Sequence, residues 1–431
     1  MANNPPKYAS AKETIILFGG LTHIQDELIE SALRSLGDNL QALPNPDTAS
    51  FQVGKAYGNR GQCNPTYFTV GNLIKYLQEL QKTQGLTHED IISRYMFATA
   101  GGCGPCRFGM YVTEYKKALK DAGFEGFRIT TFDHTSGNSM DSMFESIINF
   151  TPKFMMQLVK AIMIGDILIM VSHKIRPYEI KSGAVDRAIS ECKKTIAEAF
   201  IEHKSILRAL YKCRSIIKKV ALHKTKKPNV MVIGEFWAAS TQGEGNYNLH
   251  RFLESEGVEV TPQPITNRVL VSIWEEEQVI KQQATLQSEK APIIDFSSTK
   301  QMFFMKILRL ALLTHFKLYA KAVGLKNYHL ADVAKLAQLA KKYYPLESNG
   351  GEGHMEVGHL LESIDRDDVD LVISVKPFGC MPSSSVSDGI QSLITHKYPE
   401  ANFLSVETSG EGGANFYSRV QMALYRVKEK S

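Results

Sequence analysis

The stretch YMFATAGGCGPCRFGMYVTEYKKALKDAGFEGFRITTF, residues 95–132, decides the fold. It opens with a short run of aromatic, apolar and small residues that stops at Gly101-Gly102, as a buried strand does. The loop GGCGPC follows, then an amphipathic run over residues 108–122 that predicts a helix, then a second apolar run at 127–132 that predicts a strand. Strand, helix and strand in this order pair in parallel, because the helical crossover returns the chain to the same end of the sheet. An open α/β sheet is expected.

Upstream, residues 14–18 predict a strand closed by Gly19-Gly20, and the polar–apolar pattern of residues 25–43 predicts a helix. Residues 64–80 predict another helix, entered through Cys63 and Pro65, since proline suits a first helical turn. Downstream, residues 139–220 keep a helical period broken at Arg176-Pro177 and Ser182-Gly183. After a linker at 224–228 the alternation restarts: strand 230–233, loop GEFWAASTQGEG, helix 246–256, strand 258–260. A helical stretch at 302–344 precedes strand 371–375, loop KPFGCMPSSS, helix 386–396, strand 403–406 and helix 414–426. The predicted class is α/β, with two Rossmann-like lobes of parallel sheet joined by a helical subdomain. The divisions are 1–138 for the first lobe, 139–227 for the helical subdomain and 228–431 for the second lobe, with a helical insert at about 265–345.

The chain of 431 residues has room for such an arrangement, and 43% hydrophobic with 22% charged residues marks a globular protein. A net charge of +5, with lysines gathered at 212–227, reads as a solvated helix face and linker, so no nucleic-acid partner is expected. Residues 154–171 are interrupted by Lys160 and Asp166, and residues 302–323 by Lys306, Arg309, His315, Lys317 and Lys321, so amphipathic helices are predicted and no membrane span. The opening MANNPPKYASAKE lacks the pattern of a signal peptide, and a cytoplasmic protein is expected. Six cysteines are then too few for a disulfide scaffold and are expected as thiols or metal ligands.

Cys103 and Cys106 lie in a Cys-x-x-Cys loop between a strand and a helix, where glycines allow both sulfurs to face one centre and the helix start favours thiolate. That spacing alone also fits a thiol-disulfide oxidoreductase or half of a zinc site. Cys380 holds the corresponding place in the second lobe, and ligand sites of open α/β sheets lie beyond the carboxyl ends of the strands, so the two loops are expected to face one crevice. Cys63, in GQCNPT, stands at a third helix entrance. Four sulfurs from three loops fit a four-thiolate iron–sulfur cluster or a zinc ion, and zinc sites more often pair two Cys-x-x-Cys knuckles where this chain has one. Cys192 and Cys213, inside helical patterns without glycines, are assigned to packing.

The triplet Gly-Glu-Gly recurs at Gly243 to Gly245, Gly351 to Gly353 and Gly410 to Gly412, each before a predicted helix. Such turns either cap the helix or leave N–H groups for an anion, and together with Ser383 and Ser384 they are candidates to line the crevice. Glu235, just past a strand, is the candidate catalytic acid or base; pairing with a lysine is its commoner fate. His250, His354 and His359 have a packing or surface role as their default.

Taken together, GGCGPCRFGMYVTEYKKALKDAG, CNPTYFTVGNLIKYL, VMVIGEFWAASTQGEGNYNLHRFLESEGVEV, KPFGCMPSSS and ETSGEGGANFYSRVQMALYR resemble the 2-hydroxyacyl-CoA dehydratase and benzoyl-CoA reductase superfamily, in its branch of acyl-CoA dehydratase activase-related proteins. The likeness runs from about Cys63 to Arg426. It implies an oxygen-sensitive protein whose iron–sulfur cluster, most simply 4Fe-4S although relatives also hold a double-cubane, takes electrons from an ATP-hydrolysing activator protein of the sugar kinase, Hsp70 and actin fold. By the same likeness Cys103 and Cys106 match the GPC ligand loop, Cys63 the CxP turn and Cys380 the FGC turn. A related iron–sulfur subunit or a homodimer mate is a further expected partner. Four protein thiolates suit electron relay better than substrate ligation, so the expectation is ATP-dependent low-potential electron transfer within a 2-hydroxyacyl-CoA dehydratase or acyl-CoA reductase-like system. The chain would then be a reductase or dehydratase (lyase) subunit. The rival expectation is a scaffold component in which a zinc or cluster site only staples the lobes.

Overall fold

The computed structural model describes residues 8–101, 106–132, 151–290, 296–346 and 353–429. The first lobe runs β1 (Ile15–Phe18), α1 (His23–Arg34), β2 (Leu40–Ala42), α2 (Thr48–Tyr57), α3 (Asn64–Gln84), α4 (His88–Arg94), β3 (Tyr95–Ala100), α5 (Tyr111–Asp121) and β4 (Arg128–Phe132). Three long helices follow, α6 (Pro152–Ile175), α7 (Ala184–Ile201) and α8 (Ile206–Ile217). The second lobe begins with β5 (Asn229–Gly234), α9 (Phe236–Ser240), α10 (Leu249–Ser255) and β6 (Glu259–Thr261). It continues through α11 (Thr266–Lys290), α12 (Phe296–Val323), α13 (Val333–Ala340) and α14 (Gly353–Ile364). It closes with β7 (Leu371–Pro377), α15 (Met381–Ser384), α16 (Ser392–Lys397), β8 (Phe403–Thr408) and α17 (Gly413–Lys428).

Each lobe is built on a four-stranded sheet, ordered β2-β1-β3-β4 and β6-β5-β7-β8, and every pairing is parallel. The chain is thus an α/β protein with two Rossmann-like lobes. In both sheets the strand order reverses between the first and third strands, β1 and β3 or β5 and β7, and the loops leaving those two strands diverge there. The glycine-rich GGCGPC segment leaves β3, Gly234-Glu235 leaves β5, and Phe378-Gly379-Cys380 leaves β7. β7 is buried along its whole length, as a central parallel strand covered on both faces must be.

Four elements differ from the sequence expectation. The predicted helix over 25–43 stops at Arg34, because Gly37 turns the chain at φ 95° and residues 40–42 then pair with β1 as an edge strand. α9 falls where a loop was expected, and α2 where no element was assigned. The predicted helix over 386–396 begins sooner: α15 runs through a π-helical turn, Ser385–Gln391, into α16, so helical backbone starts directly after Cys380.

A single apolar core joins α6, α7 and α8 to α11, α12 and α13, and takes in Ile24, Leu28 and Ala32 of α1 and Met355 of α14. Cys192 and Cys213 are fully buried within it, each sulfur 3.7 Å from the other residue's carbonyl oxygen. α6 is long and apolar enough to cross a membrane, but 61% of its most apolar window is buried inside the protein. Its Asp166 accepts hydrogen bonds from the Gln25 amide and from the Ile265 and Thr266 backbone, so α6 is the central helix of a globular body. α12 instead turns Phe303, Phe304, Ile307 and Leu310 to solvent.

Candidate functional site

The lobes meet at the carboxyl ends of their strands. Asn64 N–H donates to the Phe378 carbonyl at 2.9 Å, Gln242 N–H to the Leu21 carbonyl at 3.1 Å, and the Asn45 amide to the Gln242 carbonyl at 2.6 Å. The first of these bonds ties the Cys63 turn to the Cys380 turn. Gly379, between Phe378 and Cys380, has φ 74°, and a Cβ there would lie 3.1 Å from the Gln62 carbonyl oxygen and 3.3 Å from the Cys63 Cα. Only a glycine lets two turns approach so closely in that conformation.

Cys63 is the N-cap of α3, 6% exposed, with its sulfur 3.0 Å from the Tyr111 hydroxyl and 3.1 Å from the Thr66 hydroxyl. Cys380 is the N-cap of α15 and 7% exposed. Burial, and after it the Glu235 charge, push its thiol pKa up to about 12, against a smaller opposing pull from Ser383. Cys106 is half-buried, caps a 3-10 turn at Arg107–Met110, and accepts from the Phe108 N–H at 3.4 Å. The Arg107 guanidinium donates to the Gly61 carbonyl, which brings the Cys106 turn to the segment that leads into Cys63. Cys103 lies outside the described residues.

Glu235 caps α9, accepting from the Ala238 N–H at 2.9 Å while its own N–H donates to the Val375 carbonyl at 2.9 Å. Burial raises its pKa. Burial first, then the neighbouring Cys63, hold the Tyr111 phenol well above the ordinary tyrosine value, and the Glu235 charge adds a smaller push in the same direction. The Glu235 carboxylate thus bears electrostatically on both Tyr111 and Cys380. Ser383, fully buried, donates to Glu356 of α14 at 2.9 Å, and Ser384 continues α15.

The structure thus brings together Cys63, Cys380, Glu235 and Ser383, and adds Tyr111, Thr66 and Glu356, which sequence reasoning missed. Thr66 had a legible signal, three residues past the cap in CNPT; Tyr111 and Glu356 had none, since only the fold sets them beside the thiols. The Gly-Glu-Gly turns lie around other groups. Glu244 accepts from the Thr48 N–H and hydroxyl at 2.5 Å, and Glu411 pairs with Lys55 at 2.8 Å, so two of the triplets grip α2 from the second lobe. Gly245 lies against Trp237 and Gly410 against Phe51, two members of an aromatic cluster completed by Phe68; Gly243 and Gly412 take positive φ at the same turns. Gly353 opens α14 under the Tyr344 ring, and Gly351 lies outside the described residues.

Among the described residues, Cys63, Cys106 and Cys380 do not form a set of three donors within 4.8 Å of one another. Sulfurs around a tetrahedral zinc, bonded at about 2.3 Å, lie roughly 3.8 Å apart. Cluster ligands are spread more widely, because each binds a different iron. Three described thiols, Cys63, Cys106 and Cys380, stand at helix entrances. Comparison with known proteins adds no assignment: no family model matches the chain and no curated protein matches it.

Proposed function

We propose that the chain is an iron–sulfur protein whose thiols Cys63, Cys103, Cys106 and Cys380 hold one cluster between the lobes, and that it works in ATP-dependent low-potential electron transfer. The observation that carries this reading is the contact of the Gly379-Cys380 turn, which leaves β7 at the strand reversal of the second sheet, with Cys63 at the entrance of α3 in the first lobe. When bound, a cluster would supply one-electron chemistry. The chain's own residues set its surroundings: Cys63 and Cys380 cap α3 and α15, and on binding a cluster Cys380 would give up the proton that burial and the Glu235 charge hold on it. The Tyr111 and Thr66 hydroxyls can donate to the Cys63 sulfur, and burial excludes water, both levers on a cluster's potential. Glu235 stands beside this site as the group able to take or give a proton.

In this reading the chain is a cytoplasmic, oxygen-sensitive component of a 2-hydroxyacyl-CoA dehydratase or acyl-CoA reductase-like system. Its electrons come from an ATP-hydrolysing activator of the sugar kinase, Hsp70 and actin fold, because nothing in the sequence resembles that activator's ATP site. The test is the iron, sulfide and zinc content of protein purified without oxygen, read with its electron paramagnetic resonance spectrum before and after adding reductant, activator and ATP. Iron and sulfide in equal amounts and a reducible signal are expected. Zinc without sulfide overturns the proposal. The scaffold reading separates on Cys380→Ser: a redox site leaves a folded protein with an altered spectrum, a staple leaves an unfolded one.

A further inference from the structure

α13 and α14 cross tightly, because Gly358 has no side chain where a Cβ would lie 2.6 Å from the Leu336 carbonyl oxygen. On α14, His359 and Glu362 are three residues apart and project on the same face. His329, in the turn before α13, reaches the same point. Its Nε2 lies 3.1 Å from Glu362 Oε2, His359 Nδ1 lies 3.9 Å from that same oxygen, and the donor atoms of all three residues lie within 4.8 Å of one another.

His359 is the unexplained member. It is 1% exposed, and among the described residues neither of its ring nitrogens has a hydrogen-bond partner. Burying an imidazole with both nitrogens unsatisfied costs free energy that a packing role does not return, since an apolar side chain would fill the space without that cost. A metal ion supplies the missing partner. Glu362 is arranged to share: Lys335 Nζ sits 3.0 Å from Oε1, which leaves Oε2 directed at the histidines, the usual outer contact of a ligating carboxylate. Arg366, the other nearby cation, is held by Asp368 at 2.8 Å. His329, 28% exposed, provides the way in from solvent.

We propose that His329, His359 and Glu362 bind a divalent transition metal, with zinc as the reference ion. Two imidazoles and a carboxylate form an established zinc ligand set that leaves the fourth position for solvent. The site is formed by α13, α14 and the turn before them, holds no cysteine, and does not depend on the cluster between the lobes.

The test uses the full chain with cobalt(II) alone as the probe, followed by zinc competition. His329→Asn changes a partly exposed ligand and should leave the fold intact; Glu362→Gln, an isosteric change of a buried ligand, and His359→Gln are checked for folding by circular dichroism. Each is expected to weaken cobalt binding at this site about tenfold or more. The difference spectrum, wild type minus His329→Asn, should show visible d–d bands without a thiolate-to-cobalt charge-transfer band, and Cys380→Ser should leave it unchanged. Binding unaffected by His329→Asn and Glu362→Gln, or a thiolate band in the difference spectrum, overturns the proposal. Loss of the cluster with this site intact, or the reverse, separates its fate from that of the proposed function.

Discussion

The site between the lobes hangs on one residue without a side chain. Gly379 combines a positive φ with a distance of 3.1 Å from an added Cβ to the Gln62 carbonyl oxygen, tighter than ordinary van der Waals contact, so Gly379→Ala meets both penalties. The left-handed conformation alone costs alanine about 1–2 kcal/mol. We expect a lower unfolding midpoint in urea and faster alkylation of Cys380, while Gly389→Ala, inside a helical segment with open space around it, does not lower the midpoint and leaves the alkylation rate unchanged. An unchanged alkylation rate would mean that the Cys63 and Cys380 turns do not depend on their contact. A second residue-scale effect comes from His250, which burial, with the His173 and Arg176 charges beside it, holds down to about 3. The unfolded chain takes up a proton there near pH 6.5 while the folded chain does not, so His250 favours unfolding increasingly as pH falls below that value. Between pH 7 and pH 5 this amounts to about 2 kcal/mol. Asp26 and Asp166 act in the opposite sense, because burial raises them to about 7 and about 6 and their folded forms hold protons longer. The His250→Gln variant should therefore show a shallower loss of stability on acidification than the parent chain, read as urea midpoints at several pH values. Equal slopes would place the His250 titration elsewhere than burial.

At the scale of elements, strands and long helices were legible because burial follows their period. β3, β4, β5, β7 and β8 stand where apolar runs end in glycine, proline or acidic turns, and the breaks at Arg176-Pro177 and Ser182-Gly183 separate α6 from α7 as expected. α2 was not legible, and the reason is physical. Its sequence TASFQVGKAY has little helical propensity, with a glycine and a valine adjacent. It is helical because it crosses α3 at two glycines: a Cβ on Gly54 would lie 1.9 Å from the Tyr67 carbonyl oxygen, and one on Gly71 1.8 Å from the Ser50 oxygen. Backbone contact of this kind leaves no periodic pattern. The glycine triplets are only half legible: Gly412 does cap α17, as one of the two readings has it. Read alone they are anion turns or caps, and only the fold shows Glu244 and Glu411 reaching to α2. The thiol turns were legible because proline, glycine and cysteine mark a helix entrance in any context; their neighbours Tyr111 and Glu356 sit in ordinary helical patterns.

For the whole molecule, the question is whether lobes and helices stand as separate units, as their alternation in sequence suggests, or as one. Two features tie them together. The helical core includes side chains of α1, which belongs to the first sheet's own layer, and of α11 to α14, which lie inside the second lobe's chain. The lobes in turn share the cluster of Phe51, Phe68 and Trp237, with Phe68 of α3 and Trp237 of α9 at 5.5 Å between ring centroids. Separating any one unit would expose apolar surface on the others, and cooperativity follows from shared burial of this kind. The chain carries only two tryptophans, and they report on different places: Trp237 between the lobes, and Trp274 in the helical core, stacked on His354 at 5.1 Å. Trp274→Phe leaves the first as the sole indole and Trp237→Phe leaves the second. Fluorescence of the two variants in guanidinium is expected to change at one midpoint with one slope, because the slope follows the whole surface exposed and not that around the probe. An earlier transition for Trp237 would mean that the lobes part while the helices remain folded, and the crevice holding Cys63 and Cys380 would then be a joint that opens instead of a fixed seat.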